Sequence, residues 1–141
     1  MKRLARLVAS VLGLLTLFCM DMEAKKPAFR NSVWVSEQQS FVADVGTMTE
    51  TFRLEFGPGK EVVVRESWSL PAHPATYVNP DGTVDMLPGR SSESSSAGRW
   101  RYCFGKLTVT LEDGSKNVYH YRDGTLVQTD PTGTVREYRK L

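Results

Sequence analysis

The last third of the chain is built from short alternating runs separated by turns that contain glycine. Leu111 to Leu126 reads LEDGSKNVYHYRDGTL, in which two Asp-Gly pairs bracket a run of alternating polar and aromatic residues. Asp-Gly between alternating runs is a strong hairpin signal, because the turn needs residues that accept a positive φ. Strands separated by turns at intervals of about 8 to 12 residues are typical of a sandwich or barrel. The turn glycines of this region recur at that interval: Gly105, Gly114, Gly124 and Gly133.

A second hairpin is predicted upstream. Thr47 to Phe56, TMTETFRLEF, alternates polar and apolar residues as a half-buried strand does. The Gly-Pro-Gly turn that follows cannot continue a strand, and Glu61 to Trp68 runs back. Ala28 to Ser36, AFRNSVWVS, is a further strand candidate. No segment after Ala24 has a helical period, so the sequence predicts an all-β fold.

The segment from Ser69 to Gly98 differs from its neighbours. It contains four prolines and the run SSESSS at Ser91 to Ser96, a composition typical of a surface loop. Two short strands, Ala75 to Val78 and Thr83 to Leu87, could be joined within it by an Asp-Gly turn. We therefore expect a Ser/Pro-rich loop over residues 69–98.

The first residues indicate export. MKRLAR is a positively charged start, and Leu7 to Phe18 is an apolar run of 12 residues. A membrane-spanning helix needs about 20 residues, whereas a secretory signal peptide has this shorter pattern. We expect residues 1–24 to be a signal peptide and residues 25–141 to form one domain, periplasmic or secreted.

The sequence is compatible with two alternative processing sites. A cut after Ala24 satisfies the preference for a small residue before the cleaved bond. The alternative is lipidation of Cys19, which would anchor the protein in the envelope, although Phe18 is larger than a lipid-attachment signal prefers. A mature chain that begins at Lys25 keeps only Cys103, so no disulfide is expected within it.

The sequence has few residue patterns that would indicate nucleic-acid binding, metal binding or catalysis. The net charge of +2 with dispersed charges indicates no nucleic-acid partner. Two histidines and Cys103 are too scattered to predict a zinc site, and Gly89 to Glu93 lacks the second glycine of a nucleophile elbow. No carboxylates are paired by spacing for acid–base work. The sequence predicts a protein that is not an enzyme and needs no metal or cofactor.

A family resemblance adds to this interpretation. Trp34 in NSVW, then G-x-W-x-Y around Trp100, LTVTLEDG and Y-x-Y-x-D-G-x-L resemble the small lipocalin-like (calycin-type) proteins exported by bacteria. The resemblance covers most of residues 33–139. It implies an antiparallel meander that closes into a small lipocalin-like barrel of about eight strands.

An eight-stranded barrel is either filled by its side chains or holds one small ligand. The hypothesis from sequence is non-catalytic binding of a small apolar or amphipathic ligand within the barrel. The alternative is an envelope protein-interaction module with a solidly packed barrel, which contacts a protein partner through a loop or an exposed edge. The candidate lining residues are the aromatic ones that alternation points inward, with two more near the irregular segment: Trp34, Phe52, Phe56, Trp100, Tyr102, Tyr119 and Tyr121, then Trp68 and Tyr77 at the mouth.

Overall fold

The computed structural model describes residues 28–141, and all regular structure in that range is β-strand. The predicted signal peptide, its cleavage site and Cys19 lie outside the described residues. Within 28–141 there is no helix long and apolar enough to cross a membrane. The ten strands are β1 (Val33–Val42), β2 (Gly46–Phe56), β3 (Glu61–Leu70), β4 (His73–Pro74), β5 (Met86–Leu87), β6 (Arg90–Cys103), β7 (Lys106–Leu111), β8 (Lys116–Arg122), β9 (Thr125–Thr129) and β10 (Val135–Lys140).

Eight of these strands form a closed antiparallel barrel. Its order is β1-β10-β9-β8-β7-β6-β3-β2, and β4 pairs with β5 in a separate two-stranded excursion between β3 and β6. Every neighbour in the barrel is antiparallel, and β1 pairs with β10 to close it. The predicted all-β meander barrel of about eight strands is therefore confirmed.

The barrel has walls of unequal height. β1, β2, β3 and β6 have 10, 11, 10 and 14 residues, whereas β7 to β10 have 6, 7, 5 and 6. β7 pairs only with residues 98–103 of β6, so the short strands align with one end of the long ones. We call that end, which contains Trp34 and Trp100, the closed end. The open end is the part of the long strands that extends beyond the short strands.

Alternation along each strand selects the interior. The buried residues Phe52, Leu54 and Phe56 occupy every second position of β2, and their register partners continue the same layers into β1 and β3. Side chains of a strand alternate between its two faces, so a buried set at period two defines the inner face. The core consists of twelve buried side chains: Phe29, Trp34, Phe52, Leu54, Phe56, Val62, Trp100, Leu107, Val109, Tyr119, Leu126 and Tyr138.

The meander turns form as their sequences predict. Asp123 and Gly124 have φ values of 51° and 81°, the left-handed pair of a two-residue hairpin turn. Phe104 and Gly105 form a second turn of this kind, with φ values of 53° and 75°. Phe104 is consequently 55% exposed, although alternation along the sequence RWRYCF would place it on the same face as Trp100.

The expected loop over residues 69–98 is wrong at both ends. Ser69 and Leu70 complete β3, and the serine run lies in β6, where Ser91 to Ser96 pair with β3. The β3 ladder supplies backbone partners for these residues, and this outweighs their low strand propensity. The segment without barrel strands is limited to residues 71–89.

Cys103 departs from expectation in another way. It is disulfide-bonded, and its partner lies outside the described residues. The expectation of a free thiol at Cys103 is therefore wrong.

Gly98 lets β6 and β7 approach each other closely. A Cβ atom at this position would lie 2.6 Å from the carbonyl oxygen of Thr110 on β7. We expect Gly98→Ala to lower the free energy of unfolding by about 1–3 kcal/mol, because the backbone of β7 has to move. Ser95→Ala, on an exposed part of the same strand, should change it by less than about 0.5 kcal/mol. Urea unfolding of the two variants measures the difference, and equal midpoints would contradict this account.

Candidate functional site

The closed end of the barrel is filled by an aromatic cluster around Phe29. This side chain is 1% exposed. Its ring centroid lies 5.3–6.5 Å from those of five other aromatic residues, in tilted or edge-on arrangements that aromatic quadrupoles favour. The five partners come from β1, β2, β6 and β8: Trp34, Phe56, Trp100, Tyr102 and Tyr121. Phe29 therefore occupies the space in which a ligand would have had to lie at this end.

A local turn places Phe29 there. Ser32 Oγ donates a hydrogen bond to the carbonyl oxygen of Phe29, and the Ser32 amide bonds to the same oxygen at 3.1 Å. Asn31 has a φ of 56°, and Trp34 Nε1 donates to Ser32 Oγ at 3.0 Å. The chain thus bends back at Asn31 before β1 begins, and the bend directs Phe29 into the barrel.

The structure locates each predicted lining residue. Trp34, Phe52, Phe56, Trp100 and Tyr119 are 1–9% exposed, and all point inward as predicted. Tyr102 and Tyr121 are partly buried and pack against the same core. These seven residues form one contiguous core in which they contact one another. Whether any of them touches a ligand stays a prediction.

The two residues that were predicted to lie at the mouth of the barrel occupy different parts of the structure. Trp68 is partly buried at the open end of β3, paired with Glu50 and Ser92. Tyr77 lies outside the barrel strands, where it is 54% exposed and donates from its hydroxyl to Asp85 Oδ2 at 3.1 Å. The structure therefore brings Trp68, but not Tyr77, to the inner face of the open end.

We call the inner face of the open end the cup. Register and alternation assign its side chains: Gln38 pairs with Glu50, Glu50 with Trp68, and Glu66 with Ser94. Most are polar, with Gln38 and Glu50 partly buried and Glu66, Ser92 and Ser94 exposed, in contrast to the closed end. Three apolar side chains, Met48, Trp68 and Leu70, lie among them and are also only partly buried. The cup is thus an amphipathic concave surface, formed by Gln38, Met48, Glu50, Glu66, Trp68, Leu70, Ser92, Ser94 and Arg136.

Arg136 lies at the floor of the cup. Its guanidinium carbon is 4.3 Å from the centroid of the Phe52 ring, and its side chain is 19% exposed. Nη2 forms an ion pair with Asp130 Oδ2 at 3.2 Å, while Nε is buried with no hydrogen-bond partner among the described residues. A buried donor without a partner costs about 1–3 kcal/mol, so this arginine is under-satisfied where it stands.

Asp130 keeps Arg136 in place. Its Oδ1 accepts hydrogen bonds from the amides of Thr132 and Thr134 and from the Thr132 hydroxyl. These bonds, the Thr132 hydroxyl first, lower the pKa of the Asp130 carboxyl, with a smaller contribution from Arg136. The turn between β9 and β10 therefore presents an ionised carboxylate that orients the guanidinium over Phe52.

Two tyrosines lie beneath the cup. The rings of Tyr119 and Tyr138 are 5.4 Å apart and nearly perpendicular, and the Tyr138 hydroxyl donates to Gln128 Oε1 at 3.1 Å. Burial raises the pKa of Tyr119 to about 12 and also raises that of Tyr138. Both phenols therefore stay protonated and act as hydrogen-bonding groups at neutral pH.

Phe29, Arg136 and Tyr138 were not identified as site residues from the sequence. Arg136 and Tyr138 share a face at period two, a signal that was present, but a charged residue is rarely assigned to an interior. Phe29 could have been separated from β1 by Asn31-Ser32, since these residue types favour turns.

Within residues 28–141, no group of three or more His, Cys, Asp or Glu side chains is arranged to hold a metal ion. His120 is exposed on the outer face, as predicted, and His73 lies in β4.

A search of protein-family models and of curated proteins found no match to this chain. The comparisons therefore assign no family. The likeness to lipocalins is one of architecture, an eight-stranded closed antiparallel barrel.

Proposed function

We propose that this protein is a non-catalytic binding protein of the lipocalin-like type that holds a small amphipathic ligand in the cup. The observation that carries the proposal is Arg136, a largely buried cation whose Nε has no partner among the described residues. A ligand with a carboxylate or another anionic head would supply the missing charge-assisted hydrogen bonds.

The rest of the cup fits the other half of such a ligand. Met48, Trp68 and Leu70 are neighbours on the inner face and remain partly accessible. They offer an apolar surface within the same concave wall as Arg136. Because the aromatic cluster fills the closed end, the apolar part of the ligand would lie along the open end.

Export is part of the proposal. The basic start and short apolar run of residues 1–24 support a secretory signal peptide, which would deliver the domain to the periplasm or the medium. Lipidation at Cys19 would instead retain it at a membrane. The disulfide at Cys103 requires a second cysteine, and Cys19 is the only other one in the sequence, so a third form that keeps an unmodified Cys19 also has to be considered. The intact mass of the exported protein distinguishes this form from a start at Lys25 and from a lipid on Cys19.

The test of the ligand proposal compares two amphiphiles of equal chain length and opposite charge, dodecanoate and dodecyltrimethylammonium. Tryptophan fluorescence is followed during titration below the micellar concentration. We expect dodecanoate to bind more tightly, and Arg136→Gln to weaken it by about 10- to 100-fold, the range for a lost charge-assisted hydrogen bond. Arg101→Gln, an exposed change on the outer face of β6, is the matched control and should have no effect.

Two results would overturn this proposal. One is equal binding of the anionic and cationic amphiphiles, and the other is unchanged dodecanoate binding by a folded Arg136→Gln variant. Native mass spectrometry of protein from its own host then examines the physiological ligand. Release of a small molecule in stoichiometric amount supports the carrier role.

The alternative is an interaction module with no small ligand. The packed aromatic cluster favours it, since Phe29 leaves the closed end without space for a ligand. A compact monomer that carries no adduct in the native spectrum would support this alternative over the carrier role.

A further inference from the structure

The seam that closes the barrel is short. β1 and β10 pair only at Trp34–Lys140 and Val35–Arg139. The same register, continued by two residues, would put Glu37 directly opposite Glu137 on the outer face. Like charges opposite each other destabilise a strand pair, which is a physical reason for the ladder to end here.

Beyond the seam, β1 presents unused backbone groups. Leu141 N donates to Val33 O, so the odd-numbered residues of β1 direct their N–H and C=O groups away from β2. Glu37, Gln39 and Phe41 continue this series, and no strand in the described part of the chain pairs with them on that side. This is an exposed sheet edge of the kind that accepts another strand.

β10 presents a second edge to the same space. Asp130 N donates to Thr134 O, so the even-numbered residues near the start of β10 face β9. Val135 and Glu137 therefore direct their backbone groups toward β1, again without a strand partner within residues 28–141. The two edges face each other.

A groove of about 530 Å³ lies between these edges. Both edges line it, together with apolar side chains from each strand. Glu37 and Glu137 contribute one carboxylate from each side, and Arg139 marks the end nearer the seam. The principal lining residues are Val35, Glu37, Gln38, Val135, Glu137 and Leu141.

We propose that this groove is a docking site for an extended, basic peptide segment of a partner protein. The segment adds as a strand along Glu37 to Phe41 and extends the sheet by main-chain hydrogen bonds. A lysine or arginine of the segment lies between Glu37 and Glu137, where it relieves their repulsion. Apolar side chains that flank it pack on Val35 and Val135. Glu37 and Glu137 lie on the outer face, but Gln38 lines both the groove and the cup, so peptide binding is measured with no amphiphile present.

The first test uses two heptapeptides of alternating threonine and valine, acetylated and amidated at their ends, with a central lysine in one and a central glutamate in the other. Fluorescence anisotropy of labelled peptides at low ionic strength measures their binding to the full domain. We expect the lysine peptide to bind about five- to tenfold more tightly, since two exposed ion pairs are involved. The double variant Glu37→Gln with Glu137→Gln should abolish this preference.

A second variant tests the main-chain hydrogen bonds. Gln39→Pro removes one N–H on the free edge and leaves the β2 ladder intact, and proline is tolerated on edge strands. We expect about a fivefold loss for both peptides relative to Gln39→Ala, the control for the side chain. Thermal unfolding confirms that both variants are folded.

Three outcomes would overturn the proposal: no binding of either peptide, equal binding of the lysine and glutamate peptides, or equal binding by Gln39→Pro and Gln39→Ala. A fourth is a wild-type dimer in light scattering that Gln39→Pro converts to a monomer, which would identify a second copy of this chain as the occupant.

Discussion

Replacing Phe29 with alanine is expected to lower the free energy of unfolding by about 3–5 kcal/mol, the usual cost of truncating a fully buried aromatic side chain. Phe29 is 1% exposed and contacts five aromatic rings from four strands. The rings around it are held by strands of a closed barrel and cannot collapse into the space. A cavity would remain, and the neighbouring rings would lose their contacts with it.

Urea unfolding followed by tryptophan fluorescence measures this loss. Phe41→Ala is the matched control, because Phe41 is 80% exposed at the open end and should change stability by less than about 0.5 kcal/mol. Similar midpoints for the two variants would show that Phe29 does not hold the closed end together. The result also bears on the ligand, because a dispensable Phe29 would make that end available for binding.

The fold class could be predicted because its signals are local. Alternation in residues 47–56 and the Asp-Gly turns at Gly114 and Gly124 define the hairpins within a few residues. Hairpins joined in series form a meander from local signals, whereas closure of the barrel requires the distant pairing of Trp34 with Lys140. The inward direction of Trp34 and Trp100 followed from the same alternation.

The serine run of β6 could not be predicted by the same reasoning. Residues 91–96 have a low strand propensity, and their conformation is imposed by pairing with β3. Whether the serine run forms a strand is decided only by its pairing with β3, which lies earlier in the sequence. The height of the open end, and hence the existence of the cup, depends on that pairing.

Prediction of the candidate site would have required two further features that local sequence does not reveal. Arg136 is directed inward because Phe52 and Asp130, distant from each other in sequence, hold its guanidinium. Phe29 enters the barrel through a turn that the strand-like composition of residues 28–36 conceals. Alternation therefore identifies the aromatic core, whose role as a ligand-lining surface stays a prediction, whereas the polar wall above it depends on the pairing of β3 with β6.

Alkaline pH is expected to destabilise the barrel through its buried tyrosines. An ordinary tyrosine in the unfolded chain ionises near pH 10, whereas burial raises the pKa of Tyr119 to about 12 in the folded protein and raises that of Tyr138 as well. The neutral phenol is the form the fold favours. The stability that the phenol contributes is therefore complete below about pH 10 and is lost as the pH rises from there through the folded pKa.

The size of this effect follows from the displaced proton equilibrium. Each such tyrosine lowers the free energy of unfolding by about 1.4 kcal/mol per pH unit within that window, which amounts to roughly 2–3 kcal/mol for Tyr119 by about pH 12.

Urea unfolding at several pH values from about 9 to 12 measures how steeply the free energy of unfolding falls with pH. The rise of tyrosinate absorbance should coincide with the unfolding. Tyr119→Phe should flatten the slope, whereas Tyr77→Phe, at a position 54% exposed, should leave it unchanged. Lysine and arginine ion pairs respond equally in all three proteins, so the difference between the slopes isolates Tyr119. Identical slopes for wild type and Tyr119→Phe would mean that the phenol beneath the cup is hydrated, and that the floor on which Arg136 rests is open to water.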